Sequence, residues 1–117
     1  MLELSNTRFA FLDIETTGLS PWFGDRICQI AVIVTEGKRI KSTVDLLINP
    51  ERDLSPAAIH INGLNDIELR HAPKFEEITT QLDAVFKDAI VVCHNAKFDI
   101  QFLDSEYRRF GRQAEFP

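Results

Sequence analysis

The segment of residues 8–15, RFAFLDIE, constrains the fold most, because it joins an apolar strand to a pair of carboxylates. Its even positions from Ala10 to Ile14 are all apolar, and its odd positions are Phe9, Phe11, Asp13 and Glu15. A strand that is apolar on both faces is typical of the centre of a sheet that is covered on both sides. Residues two apart on a strand project from the same face, so Asp13 and Glu15 stand side by side.

This carboxylate pair predicts a metal site. Two carboxylates at the end of a buried strand repel each other and lose hydration, which is unfavourable unless something compensates. A divalent cation does so directly, and oxygen ligands are those that magnesium and manganese prefer. The alternative is that the strand ends at Ile14 and that Glu15 is solvated. The apolar run that leads into the pair, and the loop signal Thr16-Thr17-Gly18 that follows it, favour the metal site.

The rest of the chain predicts an α/β fold. After the first strand we expect two strands, three helices, a strand and a final helix, at 27–34, 40–48, 55–63, 65–69, 73–87, 89–93 and 96–110. The short link between the second and third strands implies an antiparallel hairpin. The helical crossover that follows brings the fourth strand parallel to the first. The result is a mixed sheet with helices on its faces.

Asp99 is the third candidate ligand. It lies one turn beyond Asn95, beside the apolar stripe of the last helix, where an aspartate is more typically a surface residue. A carboxylate is also favourable at any helix start. However, this helix begins at the C-terminal end of a strand parallel to the first, and ligands bind at that edge of open α/β sheets. We therefore expect Asp99 to reach the same edge as Asp13 and Glu15.

The charge balance limits the partners. The formal net charge is −5, whereas nucleic-acid-binding domains are usually basic. If the three candidate ligands bind metal, removing their three charges leaves −2 for the remaining surface. A protein with so little positive charge would bind only the end of a nucleic-acid strand. The one basic cluster lies at a helix end, where positive charge is expected in any case: Arg108, Arg109 and Arg112.

Membrane and disulfide-bonded classes are not indicated. No stretch approaches the roughly 18 apolar residues that a membrane span needs. The N-terminal segment has neither the basic nor the long apolar region of a secretory signal, so we expect a cytoplasmic protein with no membrane partner. Cys28 and Cys93 fall in strands that flank a third strand, about 9–10 Å apart. That separation is too large for a disulfide, so we expect two buried thiols.

Two motifs carry a resemblance to the DEDD superfamily of 3′→5′ exonucleases. Residues 11–18, FLDIETTG, are similar to its first motif, and residues 94–103, HNAKFDIQFL, to its second. Residues 58–64 resemble the segment between the motifs, although Asn62 stands where some members have histidine. The two motifs together, at this spacing, are specific, and the resemblance covers nearly the whole chain. The branch it resembles most is that of the proofreading epsilon subunits of bacterial DNA polymerase III.

The resemblance implies a ribonuclease H-like fold, with hydrolysis at the 3′ end of single-stranded DNA that releases nucleoside 5′-monophosphates. Two Mg²⁺ or Mn²⁺ ions would serve as cofactors, and a DNA polymerase subunit is an implied partner. Asp13 would bridge the metal ions, while Glu15 and Asp99 would complete their shells. The implied contacts with the terminal nucleotide are Thr16, Thr17, Gly18, Ile61, Asn62, Asn95 and Phe98, although Phe98 is more typical of a core residue.

One departure from the family pattern is large. The family's third motif supplies a general base, histidine or tyrosine, and a fourth metal-binding aspartate, and it lies beyond residue 117. We therefore expect residues 1–117 to form a single incomplete exonuclease domain, with the C-terminal part of the fold missing and little activity alone. The bare edge of the fourth strand would favour dimerisation or strand exchange. Because all three histidines precede that motif, we assign none of them as the base: His60, His71 and His94.

Two alternative functions stay open. The first is a non-catalytic module that binds a polymerase or another protein, in which alanine at Asp13 and Asp99 would change partner binding little. The second keeps the chemistry but acts on RNA. The acidic balance and the lack of a basic stripe do not separate DNA from RNA as substrate.

Overall fold

The computed structural model describes residues 6–52 and 65–112. Within these ranges the strands and helices, in chain order, are β1 (Arg8–Thr16), β2 (Ile27–Glu36), β3 (Arg39–Leu47), α1 (Asp66–Arg70), α2 (Phe75–Phe86), β4 (Ile90–Cys93) and α3 (Ala96–Arg108). A short 3-10 turn, Pro21–Phe23, lies between β1 and β2. The helix expected at 55–63, together with Ile61, Asn62 and His60, lies outside the described residues.

The described strands form one mixed sheet in the order β3-β2-β1-β4. β1 pairs antiparallel with β2 and parallel with β4, as the crossover rule predicted. The predicted hairpin of β2 and β3 is confirmed, and its turn contains Gly37 at φ 62°, in the left-handed region that favours glycine. The bounds of each predicted strand differ from the observed bounds by at most two residues. β1 is therefore central, which brings its carboxyl end next to that of β4.

The described helices follow their predicted caps, with one shift. The side chain of Asn65 accepts a hydrogen bond from the backbone N–H of Glu68 at 2.8 Å, which caps α1 as expected. The longer helix begins at Phe75 rather than at Pro73, because Lys74 keeps an extended backbone. The N–H of Lys74 donates to Glu77 Oε2 at 2.7 Å, which makes Lys74 the N-cap.

The core lies between one face of the sheet and the two longer helices. Its members alternate along β1 and β2 and recur at helical spacing in α2 and α3: Ala10, Leu12, Ile14, Ile30, Val32, Val34, Ile78, Leu82, Phe86, Phe102 and Leu103. The period-two and period-3.6 patterns of the sequence therefore meet in a single apolar cluster.

The expectation that β1 is covered on both faces is only partly right. Leu69 of α1 packs with Cys28 and Leu47 at one end of the sheet. Away from that end, Phe11 is 44% exposed, and its register neighbours Ile33 and Val92 are also exposed. The reason is that α2 and α3 both pack on the opposite face of the sheet.

Both cysteines are free thiols, as predicted, but only Cys28 is buried as expected, because Cys93 lies on the edge strand β4 and is partly exposed. Cys28 is fully buried, and burial is the main cause that raises the pKa of its thiol to about 12. Burial and the neighbouring Asp99 carboxylate raise the pKa of Cys93 to about 11. Among the residues that the structure describes, no helix is long and apolar enough to cross a membrane.

Candidate functional site

The three predicted carboxylates lie where β1, β4 and α3 meet. β1 carries Asp13 and Glu15 near its C-terminal end, and Asp99 lies in the first turn of α3. Cys93, the last residue of β4, is the register partner of Leu12, so the chain leaves β4 for α3 beside Asp13. This parallel pairing brings a residue of α3 to the same edge as two residues of β1.

The start of α3 is fixed by its N-cap. The side chain of Asn95 accepts from the N–H of Phe98 at 3.5 Å, and the backbone carbonyl of Asn95 accepts from the N–H of Asp99 at 3.0 Å. Asp99 is 7% exposed, so the reading that treated it as a surface residue is wrong. Asp13 is exposed and Glu15 is half-buried. The cluster therefore runs from a buried carboxylate to one that faces solvent.

Electrostatics link the three side chains through Asp13. Burial raises the pKa of Glu15, and the charge of Asp13 raises it further. Burial also raises the pKa of Asp99, and Asp13 adds to this shift, while the Cys93 thiol and His94 oppose it. Asp13 thus lies close enough to both carboxylates to disfavour their charged forms. This is the mutual repulsion that a divalent cation relieves.

The donor set fits magnesium or manganese, although it forms no closed cage. None of the ion pairs formed within residues 6–52 and 65–112 includes any of the three carboxylates. Within the same ranges, no three acidic, histidine or cysteine side chains are grouped closely enough to hold a metal ion by themselves. Magnesium keeps several water ligands and commonly binds through one or two carboxylates and substrate phosphates. An open acidic cluster suits that mode of binding better than a dedicated cage.

The charge of Asp13 should cost stability when no metal is bound. The pKa values of Glu15 and Asp99 are raised in the folded state. The free energy of unfolding therefore falls as the pH rises through these folded-state values. Asp13→Asn should therefore stabilise the metal-free chain at pH 7, by up to about 1 kcal/mol because solvent screens Asp13. The gain should shrink as pH falls, because Glu15 and Asp99, whose pKa values are raised, become protonated and no longer repel Asp13.

Thermal unfolding in EDTA at pH 7 and pH 4 measures this effect. Asp45→Asn, at an exposed position of β3, removes the same charge outside the cluster and serves as the control. A metal-free Asp13→Asn variant that is less stable than the wild type at pH 7 would contradict the coupling.

The loop after β1 is held by Asp25. The Asp25 carboxylate accepts from Thr17 Oγ1 at 3.0 Å and from the N–H of Ser20 at 3.1 Å. Thr17 is 2% exposed, and its Oγ1 also accepts from the N–H of Arg26 at 3.0 Å. The N–H of Thr17 donates to the carbonyl of Arg26 at 2.8 Å, so this N–H is occupied within the protein. Thr17 therefore shapes the loop.

Gly18 is required by a close approach rather than by an unusual backbone angle. A Cβ at this position would lie 2.6 Å from Asp25 Cγ and Oδ1, and nearer still to Oδ2. The Asp25 carboxylate has little freedom to withdraw, because it also pairs with Arg52 at 3.3 Å. Thr16 Oγ1 donates to the carbonyl of Gly18 at 2.6 Å, which fixes the loop on the side next to β1.

Gly18→Ala should therefore destabilise the fold by about 1–3 kcal/mol, the usual cost of overpacking a tight contact. Urea unfolding of the variant measures the loss. Gly111→Ala is the matched control, because a Cβ there meets no atom within 4 Å and only the positive φ of 76° opposes it. A Gly18→Ala variant with wild-type stability would show that the Asp25 carboxylate moves aside.

One buried ion pair was not predicted. Glu106 of α3 is 2% exposed and accepts from Arg26 Nη2 at 2.7 Å, from Arg26 Nε at 3.0 Å and from the N–H of Ile27 at 2.9 Å. The pair joins the end of the loop to the helix that carries Asp99. The burial of Glu106 could have been recognised from the sequence, because Glu106 follows Phe102 by four residues and so falls on the apolar stripe of α3.

The other predicted contacts are placed as follows. Asn95 is exposed at the start of α3, whereas Phe98 is partly buried and packs against Phe102 with ring centroids 4.8 Å apart. Phe98 is thus at least partly a core residue. The proposed roles of Asn95 and Phe98 toward a nucleotide stay predictions.

A mixed sheet in this order, with helices packed on it, defines a ribonuclease H-like fold. The acidic cluster occupies the end of the central strand and the start of the helix that follows its parallel neighbour. The chain belongs to the exonuclease family (RNase_T), whose model matches residues 10–116. This confirms the family that the two motifs indicated.

Curated relatives include polymerase-associated proteins. The chain is 35% identical over 109 residues to the DNA polymerase III PolC-type protein of Staphylococcus haemolyticus, covering 93% of the chain and 8% of that protein. It is 34% identical over 116 residues to a DNA polymerase III subunit epsilon-like protein of Rhodobacter capsulatus, covering 97% of the chain and 16% of that protein. The chain thus spans a small part of these relatives' lengths.

Solved structures support the fold. A product-bound structure of exonuclease I matches with a TM-score of 0.82 at 22% identity, over 92% of this chain and 27% of that one. E. coli exonuclease I in complex with a dT13 oligonucleotide matches with a TM-score of 0.80, over 92% and 25% of the two chains. At this level of identity the likeness concerns the fold.

Proposed function

We propose that this exonuclease-family domain hydrolyses phosphodiester bonds at the 3′ end of single-stranded DNA and releases nucleoside 5′-monophosphates. The observation that carries the proposal is the electrostatic coupling of Glu15 and Asp99 through Asp13. Three oxygen-donor side chains that repel one another, and that form no described ion pair, suit divalent cations. The family membership and the polymerase-associated relatives favour DNA as the substrate.

The cofactors we propose are two Mg²⁺ or Mn²⁺ ions, which when bound neutralise phosphate charge, activate a water and stabilise the leaving oxygen. Asp13, whose charge acts on both other carboxylates, is the residue that we propose as the ligand common to the two ions. Glu15 and Asp99 would complete the ligand set on either side. The neighbouring Cys93 thiol favours the charged form of the Asp99 carboxylate, which is the form that binds a metal ion.

The loop held by Asp25 would form the wall against which the terminal nucleotide lies. Its hydrogen bonds keep the backbone from Thr16 to Gly18 in one conformation before substrate arrives, and such preorganisation favours a correctly oriented phosphodiester. The buried pair of Arg26 and Glu106 fixes this loop relative to α3, so the ligands on β1 and on α3 keep their spacing.

Two further expectations belong to this proposal. A DNA polymerase subunit is the partner proposed from the names of the relatives. Among the described strands β4 lies at the edge of the sheet, so dimerisation through that edge stays a prediction. We also propose that residues 1–117 belong to a single domain.

A single-turnover assay tests the activity. The chain is mixed with 3′-labelled single-stranded DNA and Mn²⁺, and with RNA of the same sequence in a parallel reaction. We expect slow release of labelled mononucleotide from DNA, dependent on the metal and lost in Asp13→Asn. Release without metal, or release that survives Asp13→Asn, would overturn the proposal. Faster release from RNA would change the substrate and keep the chemistry.

A further inference from the structure

A cleft along α3, which contains none of the three candidate metal ligands, is not used by the mechanism above. It measures about 280 Å³ and lies between the 3-10 turn Pro21–Phe23 and the outer side of α3. Pro21 and Trp22 line one wall, and the opposite wall is formed by residues of α3: Gln101, Asp104, Ser105, Arg108 and Arg109. The elements that form it are the loop after β1 and the helix that carries Asp99.

The aromatic wall is exposed although its loop is firmly held. Trp22 is 77% exposed, and its neighbours Leu19 and Phe23 are 86% and 87% exposed. The loop that carries them is fixed by the hydrogen bonds of Asp25 and by the Arg26–Glu106 pair. A rigid loop that presents large apolar side chains to water is typical of a contact surface. The backbone that carries Trp22 is therefore held in place before a ligand arrives, and the ring itself is open to solvent.

The opposite wall is positively charged. Arg108 pairs with Asp104 at 3.0 Å, so these two charges largely offset each other. Arg109, the C-cap of α3, is exposed and takes part in no ion pair among the described residues. The cleft thus carries a net charge of about +1 in a chain whose formal charge is −5. It combines a planar aromatic ring with a guanidinium group that is open to an anion.

This combination suits a single nucleic-acid strand. Bases stack on exposed aromatic rings, and guanidinium groups pair with phosphates. Ten residues of helix separate Asp99 from Arg109, which corresponds to about 15 Å along α3. A strand of a few nucleotides can span that distance, so one strand can reach both the cleft and the acidic cluster. An apolar protein surface would use the aromatic wall but not the unpaired guanidinium.

We propose that this cleft is a second contact site for the single-stranded substrate, in which a base stacks on Trp22 and a backbone phosphate pairs with Arg109. The proposal rests on the proposed function, since it concerns the same strand at a distance from the scissile bond. In this proposal the loop after β1 also binds the part of the nucleic-acid strand that leads away from the metal site.

The chain carries its own probe, because Trp22 is its only tryptophan. Titration with an oligothymidylate of about 12 nucleotides, a length within the usual site sizes, is followed by tryptophan fluorescence in EDTA. We expect saturable quenching. With labelled oligonucleotide and anisotropy, Trp22→Ala should raise the dissociation constant about fivefold or more, the loss that corresponds to one stacked base.

Arg109→Gln should weaken binding and should lower the slope of log affinity against log salt by about 0.7, the value for one phosphate contact on a single strand. Two matched controls remove equivalent groups outside the cleft. Phe23→Ala removes an equally exposed aromatic ring of the same turn, and Arg39→Gln removes an exposed charge at the start of β3. Both controls should bind as the wild type does.

The outcomes separate this proposal from the proposed function. Asp13→Asn should lose metal-dependent cleavage and keep the quenching of Trp22. Quenching without any cleavage by the wild type would leave the cleft proposal standing and would refute the nuclease activity. Absence of quenching, or equal effects of Trp22→Ala and Phe23→Ala on affinity, would overturn the cleft proposal. Those results would assign the exposed aromatic side chains to a protein contact instead.

Discussion

Replacing Glu106 with glutamine should lower the free energy of unfolding by about 3 kcal/mol, the lower end for a broken buried pair, because the Arg26 guanidinium then keeps only the exposed Glu51 carboxylate, at 3.5 Å, as a charged partner. The Glu106 side chain is 2% exposed and that of Arg26 is 11% exposed. Glu106 also accepts the N–H of Ile27 at 2.9 Å, at the first residue of β2. The loss therefore combines a weakly paired buried charge with a weakened backbone anchor.

Urea unfolding measures this loss against a matched control. Asp104→Asn breaks the pair with Arg108 on the same helix, but that pair is exposed and spaced i,i+4, so its loss should cost less than about 0.5 kcal/mol. If the free energy of unfolding of the Glu106→Gln variant lies within about 1 kcal/mol of that of the Asp104→Asn control, the buried pair adds little net stability.

Replacing Asp99 with asparagine should reduce both Mn²⁺ affinity and metal-dependent cleavage by at least about 100-fold. Mutation of a residue that only contacts a metal ligand already reduces affinity or activity by up to about 100-fold. The substitution keeps the shape of the side chain and removes its charge. Asp99 is 7% exposed and belongs to the cluster that Asp13 links. A residue that only caps the helix would lose little on this change, because the helix-terminus effect amounts to about 0.3–1 kcal/mol.

The measurements are Mn²⁺ binding and single-turnover cleavage by the variant, each compared with Asp45→Asn at an exposed position of β3. We expect the Asp45→Asn control to match the wild type in both. Wild-type metal affinity in Asp99→Asn would show that Asp99 lies outside the ligand set and that its buried position serves only the fold.

The strands and the hairpin could be predicted because their signals are local. Apolar alternation fixes β1, and the turn at Gly37 fixes the pairing of β2 with β3. The parallel neighbour of β1 follows from the handedness and reach of the helical crossover. The open second face around Phe11 was not predicted, because a run of apolar residues does not say which face a helix will cover.

The candidate site was predictable only in part. Asp13 and Glu15 could be recognised from their position on an apolar strand. Asp99, considered by itself, resembles a surface residue. Its burial depends on the adjacency of β4 and β1, which is a property of the fold. The partnership of Arg26 and Glu106 joins residues 80 positions apart, and no local pattern could reveal it.

The most direct test of the account is a calorimetric titration of the chain with Mn²⁺, repeated for Asp13→Asn. Binding should be saturable in the wild type and at least about 100-fold weaker in the variant. Binding should release more protons as the pH is lowered, because Glu15 and Asp99 have raised pKa values and must give up their protons to the metal. Equal uptake of manganese by the wild type and Asp13→Asn would contradict a shared carboxylate site.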